Sequence, residues 1–117
     1  SARDYGLIIH SEVSVGYDIP WRKTHQLLVE AALNTPGVVD DPRPFILETS
    51  LQDYYPVYQV NAYIKDANQL AQVYSDLHQN IQDRFNEEGI EIMSPHYIAT
   101  RDGSATTIPK DDLRPKK

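Results

Sequence analysis

One apolar stripe constrains this chain more than any other feature. Leu70, Val73, Tyr74, Leu77, Ile81 and Phe85 recur at helical spacing over about five turns. A stripe of that length must be buried against another apolar surface, which the rest of the chain has to supply. Asp66, with Gln69 three residues later, makes a capping-box-like start. Gly89 offers the left-handed geometry that closes a helix, although Glu87 and Glu88 lie unfavourably at its negative end. Ile90 to Met93 then reads as a short strand, with Ile90 and Ile92 on one face, and Pro95 ends it.

Near the start the chain does the reverse. Gly16-Tyr17-Asp18-Ile19-Pro20-Trp21 turns a strand into a helix. The strand runs from Leu7 to Tyr17, with Ile9, Val13, Val15 and Tyr17 on one face and Ser11 breaking the series. Asp18 is the expected N-cap, and Pro20 suits the first helical turn. Trp21, Thr24, Leu28 and Ala31 follow at helical spacing, and Pro36-Gly37 ends this first helix. Trp21, the single tryptophan, is expected to anchor that helix on the sheet.

Pro42 and Pro44 stiffen the next loop. Phe45 to Leu51 alternates as a second strand, Gln52-Asp53 turns, and Tyr55 to Ile64 is a third. In the third, Tyr58, Val60, Ala62 and Ile64 share one face, and Gln59, Asn61 and Tyr63 make the other face mixed. The order is β-α-β-β-α-β. Right-handed crossovers then give an α+β fold of ferredoxin-like type. It is a four-stranded antiparallel sheet with two helices on one face, plus a C-terminal tail. Residues 1–4 read as a cloning remnant or a linker from an upstream domain. Residues 5–100 form the domain, and 101–117 are a tail with a weak strand candidate at Ala105 to Ile108 and a mobile charged end.

At 117 residues the chain suits one core. No apolar run approaches the roughly 18 residues that span a bilayer. There are no cysteines, which excludes disulfides, thiolate metal sites and thiol catalysis. Net charge is −6. Residues 1–100 carry 14 acidic and 6 basic side chains, a net of −8, and the last 17 carry 3 and 5, a net of +2. Such a body repels phosphate backbones, so no nucleic-acid partner is expected.

Nothing in the chain assembles as chemistry. His10, His25, His78 and His96 are far apart and none pairs at i, i+4, so no metal site is expected and the histidines read as surface or boundary residues. No Gly-x-Ser-x-Gly elbow is present. Asp40-Asp41 and Glu87-Glu88 read as solvated pairs. The Gly16 to Pro20 loop, with one glycine, an acid and a proline, is a poor phosphate cradle. Tyr58 and Tyr63 fall on opposite faces with few cations beside them, which argues against an RNA-binding sheet.

Two segments carry a resemblance. The first is Val13-Ser14-Val15-Gly16-Tyr17-Asp18-Ile19-Pro20-Trp21. The second runs from Leu77-His78-Gln79-Asn80-Ile81 through Phe85-Asn86-Glu87-Glu88-Gly89-Ile90-Glu91-Ile92 to Pro95. Between them, Pro42-Arg43-Pro44-Phe45 opens the second strand. In this order the chain resembles the cytoplasmic α/β domain of the small-conductance mechanosensitive channel (MscS) family, over about residues 5–100. The resemblance makes Gly16, Tyr17, Asp18, Pro20, Trp21, Gly89, Ile90, Ile92 and Pro95 structural marks of the family, with no catalytic, cofactor or metal role.

The resemblance implies a homo-oligomer, a heptamer in the full-length channel, in the cell inner membrane with this domain on the cytoplasmic side. Seven subunits build a vestibule with side portals, and the channel releases ions and small osmolytes on hypoosmotic shock. Membrane helices and a small β-domain would precede this segment, so contact with the membrane would come only through them. The piece itself is expected to form vestibule wall and subunit contacts without the pore. Arg101-Asp102-Gly103 interrupts the stretch where the family has a short barrel strand. Two other readings stand beside this one: a stand-alone ferredoxin-like module that binds a small molecule or dimerises, and a small acylphosphatase-type hydrolase, which the Gly16 to Pro20 loop disfavours.

Overall fold

Alternating side chains build the centre of the structure, a computed structural model that describes residues 7–93. Strand β1 is Leu7–Ser14, β2 is Phe45–Leu51 and β3 is Pro56–Ile64. They form one antiparallel sheet in the order β1-β3-β2. The middle strand is the most apolar, as a strand with neighbours on both edges should be. Its Tyr58, Val60, Ala62 and Ile64 are all buried on one face. The register sets Val13 and Glu48 beside Tyr58, and Ile9 beside Ala62.

Helix α1, Trp21–Leu33, and helix α2, Leu70–Glu87, cover that face. Thr24, Leu27, Leu28, Ala31 and Ala32 point inward from α1, and Val73, Leu77, Ile81 and Phe85 from α2. The apolar members join Ile9, Val13 and the β3 residues in a single core cluster. A fully buried Leu or Phe stabilises the fold by about 2 kcal/mol, so Leu77 and Phe85, both at 0% exposure, are principal supports. Thr35, just past the end of α1, joins it to the middle of α2, donating to the Ala31 carbonyl at 2.8 Å and accepting from Asn80 Nδ2 at 3.0 Å.

The α+β class, the antiparallel sheet and the two helices agree with the sequence reading. Several details differ. β1 ends at Ser14, and Tyr17 lies beyond it, half-exposed. β2 carries a bulge between Glu48 and Ser50, so the alternation through Thr49 and Leu51 is broken. Asp66 caps a short 3-10 turn, Ala67–Gln69, through the Asn68 N–H, and no reciprocal bond from Gln69 completes a capping box.

Asp18 does not cap α1. Pro20 occupies the N-cap position, and no side chain caps there. Trp21 is 46% exposed and is not a core anchor, because the inward face of α1 begins at Thr24.

Ile90 to Met93 is not a paired strand. It is an extended segment with one antiparallel bridge, in which Met93 N–H donates to the Ser14 carbonyl at 2.8 Å. Further along the outer edge of β1, the Tyr74 hydroxyl lies 3.4 Å from the His10 N–H and donates to the His10 carbonyl at 3.3 Å. Helix α2 thus occupies edge groups that a fourth strand would need. Pro95 and the expected barrel strand lie outside the described residues.

Candidate functional site

The two turns that bracket the domain meet in space. Gly16 starts a turn closed by Ile19 N–H on its carbonyl at 3.1 Å. Gly89, at φ +72°, ends α2 and sends the chain back to β1. Gly16, Asp18, Gly89 and Ile90 line one cleft of about 260 Å³ with Glu91 and Met93. Asp18 folds over Gly16, and a Cβ there would lie 2.5 Å from its Oδ1. That placement explains why the carboxylate is not at the helix N-terminus. Ile90 is buried, and Ile92 packs on the core from its margin.

The other marked residues point elsewhere. The Tyr17 hydroxyl donates to the Gln52 carbonyl and ties the first turn to the β2–β3 loop. Trp21 stacks under the Arg22 guanidinium, 4.2 Å from the ring centroid, and meets His25 edge-on at 5.0 Å. His25 in turn meets Tyr58 edge-on at 5.5 Å. Burial in this aromatic sandwich pushes the His25 pKa down, and the Glu48 carboxylate partly offsets it.

Two further constellations escaped the sequence reading. Arg84 pairs with Glu30 at 2.8 Å, Glu88 at 2.9 Å and Glu87 at 3.5 Å, and Lys23 pairs with Glu88 at 2.9 Å. These contacts offset the acidic pair at the end of α2. Hydrogen bonds from Gln26 and then Arg84 pull the Glu30 pKa down, and those from Lys23 and Arg84 do the same for Glu88. The spacings Arg84–Glu87 and Arg84–Glu88 were local signals; Glu30, 54 residues away, gave none. Ser11 Oγ lies 2.8 Å from His78 Nε2, beside the Tyr74 contact. Among the described residues the pair has no third hydrogen-bonded member, and it is exposed.

The sheet face away from the helices is uncovered among the described residues. Ile8, Phe45 and Leu47 stand on it, with Phe45 41% and Leu47 49% exposed. Phe45 lies beside Asn61, Leu47 beside Gln59, and Ile8 beside Tyr63. The face is therefore mixed, with an apolar patch toward β2. Among the described residues, no group of three His, Asp or Glu could hold a metal, and no helix is long and apolar enough to cross a membrane.

The described residues thus make an α+β module with one sheet face open and, among them, no metal-ligating cluster. The family description that matches it is the C-terminal region of the mechanosensitive ion channel MscS, over residues 9–92. The chain belongs to that mechanosensitive channel family, and the matched span is its C-terminal domain. No curated protein matches the chain.

Proposed function

We propose that this domain forms the cytoplasmic vestibule wall of a homo-oligomeric mechanosensitive channel, a heptamer by family resemblance, in the cell inner membrane. The full channel releases ions and small osmolytes on hypoosmotic shock. The family match over residues 9–92 carries the reading. Within it, residues 5–100 act as the wall unit and 101–117 form the tail. The turns at Gly16, Tyr17, Asp18, Pro20 and Trp21, and at Gly89, Ile90, Ile92 and Pro95, are geometric parts of that wall. The exposed Ile8, Phe45 and Leu47 support a role in subunit contact. The acidic body, −8 over residues 1–100, biases which ions approach the pore.

Patch-clamp recording of the full-length protein in liposomes tests this. A suction-activated conductance is expected, and charge reversal of exposed carboxylates should shift its ion selectivity. No conductance at any tension up to rupture refutes the channel reading. Conductance with unchanged selectivity refutes the charge role alone.

A further inference from the structure

The domain spends its basic side chains sparingly. Lys23 and Arg84 are bound to carboxylates. Arg22 and Arg43 have no ion pair among the described residues, although the body around them is acidic. Both line the same cleft, about 370 Å³, between α1 and the start of β2. His25 and Gln26 share its wall, and Val29 and Ile46 give it an apolar side.

A carboxylate also borders the cleft, but its charge is engaged. Glu30 Oε1 accepts from Arg84 at 2.8 and 2.9 Å, and Oε2 accepts from Gln26 Nε2 at 3.1 Å. Arg22 and Arg43 are not so balanced. Arg22 lies with its face on Trp21, which leaves its N–H edge free for a planar anion. The volume falls within the range of small-molecule sites.

We propose that this cleft binds a small organic carboxylate, held between the Arg22 and Arg43 guanidiniums with its aliphatic body against Val29 and Ile46. The occupant is a solute-sized anion, since an apolar wall beside two cationic side chains suits a short carbon chain better than a bare inorganic ion. The site stands independently of the channel reading.

The test is an NMR titration of the chain with succinate at low ionic strength, against inorganic phosphate and sodium chloride. Amide shifts centred on Arg22, Gln26, Val29, Arg43 and Ile46 should saturate below about 10 mM succinate, an affinity that a few contacts supply. Arg43→Gln, an exposed position, should weaken binding at least about tenfold, the usual effect of losing one charged hydrogen-bond partner. Lys65→Gln, which removes a basic side chain away from the cleft, should leave it unchanged. Equal weakening by both variants, the same shifts with chloride, or phosphate binding as tightly as succinate would overturn the proposal. So would a response that follows protein concentration, which would assign the arginines to a contact between copies.

Discussion

Replacing Gly37 by alanine should be among the most costly single-methyl additions in this domain. Gly37 has φ +94°, and a Cβ there would lie 2.8 Å from Val73 Cγ2. Neither side can yield cheaply. Val73 is buried and β-branched, so its χ1 is stiff. The Gly37 backbone is pinned to the end of β3, because Lys65 N–H donates to its carbonyl at 2.9 Å and Val39 N–H donates to the Tyr63 carbonyl at 2.9 Å. The left-handed backbone costs an alanine about 1–2 kcal/mol, and the overpacked methyl adds about 1–3 kcal/mol. The sum is about 2–5 kcal/mol, with each kcal/mol lowering Tm by about 4–8 °C in a domain of this size.

Gly89 supplies the control. Its φ is +72°, and a Cβ there meets nothing within 4 Å. Gly89→Ala should therefore cost only the backbone term, about 1–2 kcal/mol. Urea denaturation of the two variants reads the difference. In a Val73→Ala background, Gly37→Ala should fall back to the cost of Gly89→Ala, because the opposing methyl is gone. Equal costs for the two glycines in the parent chain, or no coupling with Val73, would refute the steric argument.

Two other outcomes follow from the same geometry. An unfolded histidine titrates near about 6.5, and burial lowers the folded His25 value. The unfolded chain thus takes up this proton first, so stability falls as pH drops below the unfolded pKa toward the lowered folded one. Urea midpoints measured across that window should show a slope that His25→Gln loses, and matching slopes in both proteins would remove His25 as the cause. Phe45→Lys with Leu47→Lys should change the stability of the isolated domain by about 0.5 kcal/mol or less per site, as exposed positions do. In the full-length channel the same pair should reduce the oligomer seen by cross-linking, and intact assembly would exclude the open face as a subunit contact.

The parts of the fold that were legible in the sequence are those written in local periods. Tyr58, Val60, Ala62 and Ile64 announced β3, and Val73, Leu77, Ile81 and Phe85 announced α2, because burial imposes a period of 2 or 3.6 on neighbours. Gly89 was legible for the same local reason. Asp18 and Trp21 were misplaced because each had two physically reasonable positions, and contacts with near neighbours in the chain chose between them. The carboxylate turned onto Gly16, and the indole turned outward to Arg22. The clefts were not legible at all. Gly16 and Gly89, like Arg22 and Arg43, are brought together by tertiary packing, and no spacing records that.

The Ser14–Met93 bridge has a mechanical consequence. Leu7 opens β1 at one end, and Met93 is bonded to Ser14 at the other. Those ends are roughly 23 Å apart at the rise of an extended strand. A pull applied between them runs along β1, and its eight residue pairs with β3 share the load together. A pull across the strand would open the same bonds one at a time. The domain is wired as a shear joint, the arrangement that lets a sheet carry tension along the chain while keeping its core closed.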